Sequence, residues 1–134
     1  MAWTRWAAPI GKPAPKRNDT LILIPIYKEF DLVKAHLERL KAQTTHAFDV
    51  LLVLNAVTDE KQVEGMLGKG GYPFAVHVIK RLEDTGSAGG YFTGQCYAVE
   101  EGYAYLVMGD ADCMPVDADL VAKLLEKKAD GWAC

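Results

Sequence analysis

Two aspartates one residue apart, Asp110 and Asp112 in Met108-Gly109-Asp110-Ala111-Asp112, close a short apolar run from Tyr105 to Met108. If that run is a strand of an open α/β sheet, the pair lies beyond its carboxyl end, where such sheets bind ligands. Two carboxylates there are hard oxygen donors, suited to Mg²⁺ or a similar cation that bridges to phosphate oxygens. Taken alone, the pattern reads first as an ordinary turn, because acidic residues at strand ends hydrogen-bond the local backbone.

Three further segments carry groups that could share a task with the aspartates. Pro25-Ile26-Tyr27-Lys28-Glu29 follows an apolar run, and Tyr27 could pack against a base or ribose. Asn55, after another apolar run, offers both a donor and an acceptor and could read the edge of a pyrimidine. Gly86, Gly89 and Gly90 would let backbone approach a ligand at a helix start, where free N–H groups favour anions. Each has a structural alternative: Tyr27 can cover the core, Asn55 can cap a turn, and the glycines can be turn chemistry. The glycine run lacks the spacing of a dinucleotide fingerprint and the lysine-threonine ending of a P-loop. His36, His46 and His77 are scattered and read as structural or surface residues.

The elements that must position these groups alternate. Leu21 to Ile26 is a continuous apolar run, as expected of a strand covered on both faces. Asp31 can cap a helix with Val33, Leu37 and Leu40 at helical spacing. Asp49 to Leu54 reads as a second strand. Thr58 or Asp59 opens a short helix with Val63, Met66 and Leu67 inward, ended by Gly68. Phe74 to Lys80 reads as a third strand. The turn from Thr85 to Gly90 leads to a helix carrying Phe92, Cys96 and Val99 and closed by Gly102. Tyr105 to Met108 is the fourth strand, and Asp117 caps a last helix with Leu120, Val121, Leu124 and Leu125, stopped near Gly131. This alternation predicts a doubly wound α/β layer of parallel strands with right-handed crossovers. Strand ends would then gather on one edge with all four segments. Trp132-Ala133-Cys134 resembles the start of another strand, so the chain reads either as the front part of a longer enzyme or as a compact relative.

Bulk properties narrow the classes. A chain of 134 residues, half hydrophobic and a quarter charged, can bury one core. A net charge of −3 gives no field for nucleic acid, and no basic face interleaved with aromatics is present. Cys96, Cys113 and Cys134 share no metal-site spacing, and their odd count fits a reduced, cytosolic setting. No apolar stretch approaches the ~20 residues of a membrane span, and the start lacks a secretory segment. Residues 1–19 read as a flexible, extended arm with Pro9, Pro13 and Pro15, ahead of an α/β domain over 20–134. Trp3 and Trp6, beside Arg5, Lys12, Lys16 and Arg17, could touch a membrane surface. Tryptophans that pack on the domain are the preferred reading for so short a segment.

In order, Pro-x-Tyr after the first strand, a loop ending Thr58-Asp59, the Asx-x-Gly loop at Asp84-Thr85-Gly86 and the final Asp-x-Asp resemble the family 2 glycosyltransferases. The resemblance runs from Thr20 to Leu125 and implies the GT-A fold, a nucleotide-diphospho-sugar-binding layer with helices on both faces of a mostly parallel sheet. Glu83 to Tyr91 is similar to the rhamnosyl- and galactofuranosyltransferase branch. The resemblance implies that Pro25, Tyr27 and Glu29 form the first nucleotide-binding loop and that Asn55 contacts the base. It puts Asp84 and Gly86, with Gly89 beside them, near base and ribose, Asp110 near ribose and metal, and Asp112 on Mn²⁺ or Mg²⁺. Leu54, Lys28 and Asp84 depart from the family's usual residues. The family's acceptor half and catalytic base lie further on than this chain extends, so no catalytic residue is assigned.

The implied reaction is inverting transfer of a sugar from a nucleoside diphosphate to a hydroxyl of a glycan or lipid-linked acceptor. Peripheral membrane contact at the inner face and a homo-oligomer are compatible with it. A binding module with partner-dependent activity or none is the alternative. A nucleotidyltransferase ranks below both, because Pro25 to Glu29 holds no glycine.

Overall fold

A strand buried on both faces has no polar side to present, and Leu21 to Ile24 and Val50 to Leu54 present none. In the computed structural model they form the centre of a five-stranded sheet. The structure describes residues 3–10, 16–26, 30–54, 61, 63, 72–83, 86–109 and 122–123, with the backbone alone at 30–32 and 86–88. Its elements are β1 (Ala7–Pro9), β2 (Thr20–Ile26), α1 (Phe30–Lys41), β3 (Asp49–Leu54), β4 (Val76–Arg81), α2 (Gly86–Glu100) and β5 (Tyr105–Met108), after a 3₁₀ turn at Trp3–Arg5.

The sheet order is β1-β4-β3-β2-β5. Of its four pairings, β1 runs antiparallel to β4 and the other three are parallel. Successive strands β2, β3 and β4 step outward in one direction, and β5 then returns to the other side of β2. That reversal between β2 and β5 is a topological switch point, where open α/β sheets form their binding crevice.

Alternate side chains divide the core into two layers, as the pleat requires. On one face Ile22, Ile24, Ile26, Val50, Leu52 and Leu54 meet Val33, Leu37 and Leu40 of α1. On the other, Leu21, Leu23, Leu51, Val53 and Ile79 meet Tyr97 and Ala98 of α2. Helices therefore cover both faces, and the expected stripe on α1 is the buried one. The helix starts at Phe30, so Asp31 lies inside its first turn rather than at its cap. Strand β4 begins at Val76, because Phe74 turns into the first core layer against Phe48, with ring centroids 4.9 Å apart.

Helix α2 corrects the face expected for it. Phe92 and Val99 are 45% and 78% exposed, and the covered positions are Gly90, Thr93, Gly94, Tyr97 and Ala98. This set follows the i, i+3, i+4, i+7, i+8 rule in small residues. A Cβ on Gly94 would lie 2.3 Å from Cδ1 of Leu23, and one on Gly90 3.1 Å from Cβ of Pro25. The two glycines let the helix backbone rest directly on β2, so the bulkier apolar residues turn outward. Gly102 ends α2 as expected. At a φ of 79° it occupies the left-handed region, its amide bonds Val99 O (3.3 Å) and the Tyr103 amide bonds Ala98 O (2.9 Å).

The amino-terminal residues are not a loose arm where they are described. Residues 7–9 form β1 on the edge of β4, and the Leu82 amide donates to Trp6 O at 2.9 Å. Trp3 packs on Tyr97 with centroids 5.1 Å apart, donates its amide to Glu100 (2.7 Å) and its indole N–H to Glu101 (3.2 Å). An apolar indole with two carboxylate acceptors in reach outweighs the disorder expected from flanking prolines. The tryptophans thus pack on the domain, the preferred reading.

Of the helix expected over 58–67, Lys61 and Val63 are described; both are helical and Val63 is fully buried. Met66, Leu67, Gly68 and the stripe from Leu120 to Leu125 lie outside the described residues, as do Trp132 to Cys134. Among the described residues no helix is long and apolar enough to cross a membrane.

Candidate functional site

The carboxyl ends of the parallel strands meet on one edge. Ile26 lies opposite Leu54 of β3, and Leu54 opposite Lys80 of β4. Strand β5 stops opposite Leu23, so the last residues of β2 run on beyond it and open a step at the switch point. Helix α2 begins at this same edge, because it follows β4 and returns antiparallel across the sheet. Its first-turn N–H groups and the positive end of its dipole therefore belong to the edge.

The described residues show how this corner is held. Pro25, half-buried in β2, lies under Gly90. The Gly109 amide donates to Leu23 O at 2.8 Å, extending the β2–β5 ladder one residue past the strand. The Tyr91 hydroxyl donates to Gly109 O at 3.2 Å. Arg81, buried at the end of β4, donates from Nε to the Thr93 hydroxyl at 3.0 Å, and that hydroxyl donates to Gly89 O at 2.9 Å. The first turns of α2 are thus tied to β2 through Gly90, to β4 through Arg81 and to the end of β5 through Tyr91.

Of the residues expected in the site, Pro25, Gly86 and Gly89 are described. Pro25 sits one residue from the end of β2, Gly86 is the first residue of α2, and the Gly89 carbonyl is the acceptor for Thr93. Gly90 serves helix–strand packing, a different use from backbone approach to a ligand. Tyr27, Glu29, Asn55, Asp84, Asp110 and Asp112 lie outside the described residues. Their described neighbours Ile26, Leu54, Glu83 and Gly109 all belong to this edge. Among the described residues no group of His, Cys, Asp or Glu could hold a metal ion.

Sequence reasoning missed Arg81, Tyr91 and Thr93. A signal existed for Thr93, which completes the small-residue stripe of α2. An arginine ending a strand and a tyrosine on a helix carry no such mark.

The histidines take the structural places expected of them. His46 donates from Nε2 to Lys41 O at 2.8 Å, and His36 is buried beneath Gly109. His77 belongs to a polar cluster at the opposite edge, with Asp49 and Tyr103. Beside it a cleft of about 120 Å³ is lined by Trp3, Lys16, His77, Tyr97, Glu101 and Tyr103. It faces the amino ends of the strands, away from the switch point.

The sequence model for glycosyl transferase family 2 matches residues 21–133. The chain belongs to the family 2 glycosyltransferases. No curated protein matches it. Among solved structures it is similar to the mannosyltransferase PcManGT from Pyrobaculum calidifontis, solved in complex with GDP-Man and Mn²⁺, at a TM-score of 0.67 and 21% identity. The likeness covers 92% of this chain and 36% of that one. This glycosyltransferase chain therefore has the expected GT-A architecture and spans about a third of the length of that enzyme.

Proposed function

We propose that this family 2 glycosyltransferase chain is the donor-binding part of an inverting enzyme that takes a nucleoside-diphosphate sugar with a divalent cation. The observation that carries the reading is the corner at the switch point. The Gly109 amide is bonded to Leu23 of β2 and its carbonyl to Tyr91 of α2 there, and Asp110-Ala111-Asp112 follows directly in the chain. The relative solved with GDP-Man and Mn²⁺ supports the same class of donor.

The donor set fits the metal chemically, since two carboxylates are the hard oxygen ligands that Mn²⁺ and Mg²⁺ accept. When bound, the cation would offset the charge that grows on the departing diphosphate. The chain's own groups do the rest of the holding. Pro25, Tyr27 and Glu29 would line the nucleotide, Asn55 would read the base edge, and Asp84, Gly86 and Gly89 would border base and ribose. Asp110 would reach ribose and metal, and Asp112 the metal. The start of α2 adds N–H groups that favour the diphosphate. In transfer, the bond from the anomeric carbon to the diphosphate oxygen breaks as one to the acceptor hydroxyl oxygen forms, and the hydroxyl proton passes to a base. The acceptor is a glycan or lipid-linked hydroxyl, and the base is none of the donor-site residues named above.

A module that binds donor without transfer is the second reading, because none of the residues named above is assigned as a catalytic base. The test titrates GDP, UDP and dTDP with and without Mn²⁺ by calorimetry, then supplies GDP-mannose and the other sugar nucleotides and follows sugar release or transfer. Metal-dependent binding with turnover supports the enzyme, and binding without turnover selects the module. No binding of any nucleotide overturns both. Asn55→Ala should flatten the preference among the three nucleotides, and an unaltered ranking would make Asn55 a turn residue only.

A further inference from the structure

Gly109 is held from two sides. Its amide is fixed by Leu23 O at 2.8 Å, and its carbonyl accepts the Tyr91 hydroxyl at 3.2 Å. The carbonyl matters because a trans peptide is planar. Setting the direction of Gly109 O also sets the plane of the peptide bond into Asp110.

The group that does this stands on a rigid support. Tyr91 is half-buried against the second core layer, between two points where α2 rests on β2. Those points are Gly90 on Pro25 and Gly94 on Leu23. Strand β2 also supplies the acceptor for the Gly109 amide, so donor and acceptor of both bonds are referenced to one strand. Steric confinement does not replace them. A Cβ on Gly109 would meet only ordinary contacts, 3.7 Å from Leu23 O and 3.8 Å from Cε1 of His36.

We propose that Tyr91 is a positioning residue for the Asp-x-Asp segment: its hydroxyl, holding Gly109 O, fixes the peptide plane from which Asp110-Ala111-Asp112 continues, and so supports their binding of the cation. The inference rests on the donor-site reading above. Tyr91 touches neither metal nor nucleotide in this scheme; it acts through the backbone.

The experiment is Tyr91→Phe, which removes one hydroxyl and keeps the ring, in the full chain. Mn²⁺ is titrated by calorimetry with GDP present, GDP is titrated alone, and exchange of the Gly109 amide is followed by NMR. A neutral hydrogen bond of ordinary strength predicts about three- to tenfold weaker Mn²⁺ binding in the variant. GDP affinity without metal should change less than about twofold, and the Gly109 amide, bonded to Leu23 O, should exchange faster. Mn²⁺ affinity within about twofold of the wild type, or an equal fall in metal-free GDP binding, overturns the positioning role. If the wild-type chain itself binds no Mn²⁺ with GDP, the donor-site reading has failed and this role with it. The two failures are therefore distinct.

Discussion

The Tyr103 hydroxyl donates a 2.6 Å hydrogen bond to Oδ2 of Asp49, at the sheet edge opposite the candidate site. Asp49 is fully buried and also accepts from the Arg17 amide (3.0 Å) and the Asn18 side chain (3.1 Å). Burial alone would raise its carboxyl, but these donors, Tyr103 foremost, hold it below the ordinary value. With its proton given to Asp49, the Tyr103 oxygen accepts from Nε2 of His77 at 3.1 Å. That arrangement puts the proton of a neutral His77 on Nε2.

Stability should therefore have a broad acid limb. Burial lowers the His77 pKa, against the opposing pull of Asp49 and Glu101. Below about pH 6.5 the unfolded chain takes a proton that folded His77 resists, so stability falls as pH drops toward the folded value. Protonation of Asp49 removes more below about pH 4, because its folded pKa is the depressed one. In alkali the sign reverses: Tyr97 is pushed up to about 12 by burial and by Glu101 and Asp49, and Tyr103 further. Unfolded tyrosines ionise near pH 10, so stability falls above about that pH. Melting temperatures across this range should show the maximum near neutrality to mild alkali. His77→Gln should flatten the slope that sets in below about pH 6.5, and an unchanged slope would assign the limb to other groups.

Gly94→Ala should destabilise despite the better helix former. The new methyl meets Cδ1 of Leu23 at 2.3 Å and Cδ2 at 2.5 Å in a fully buried layer. Overpacking of this kind costs about 1–3 kcal/mol, against roughly 0.8–1.0 kcal/mol gained from propensity. Urea midpoints should fall, and adding Leu23→Ala to the same chain should cost less than Leu23→Ala does alone in the wild type. Additive losses would show that α2 shifts to relieve the contact.

Removing residues 1–10 should make the protein self-associate. Strand β1 covers the free edge of β4 through Ala7 to Pro9, with Ile10 donating to Val78 O at 2.9 Å. An uncovered edge offers unpaired backbone to a second chain. Light scattering should show concentration-dependent growth in the shortened chain, and a weaker form of it in Trp3→Ala, which loses the anchor on Tyr97, Glu100 and Glu101. A shortened chain of unchanged size would give the strap no protective role.

Asp112→Ala should abolish Mn²⁺-dependent nucleotide binding while leaving the melting temperature of the metal-free protein within about 2 °C, because a metal ligand's loss falls on the metal-bound state. Calorimetry with GDP and Mn²⁺ measures it. Unchanged affinity would remove Asp112 from the metal site.

Much of the architecture was legible because strand and helix periods are local properties. Asp49 to Leu54 and Tyr105 to Met108 read as strands at the bounds they have, the stripe of Val33, Leu37 and Leu40 is buried, and Gly102 ends its helix. The order of four short motifs was also enough to indicate the family. What depended on distant partners could not be read. Nothing near Trp3 announces Glu100, and nothing near Asp49 announces Tyr103 or His77. Phe92 and Val99 look like a core face until α2 is seen lying on β2 at Gly90 and Gly94. Tyr91 acquires a role only once the sheet returns β5 to the far side of β2 and brings Gly109 beneath its hydroxyl. The sequence by itself determined which segments of the α/β layer become strands, which become helices and which residue types stand at their ends, but not that Ala7 to Pro9 would add an edge strand. Tertiary structure decided which of those ends meet, because the close approach of helix to strand and the closing of polar pairs join residues far apart in the chain.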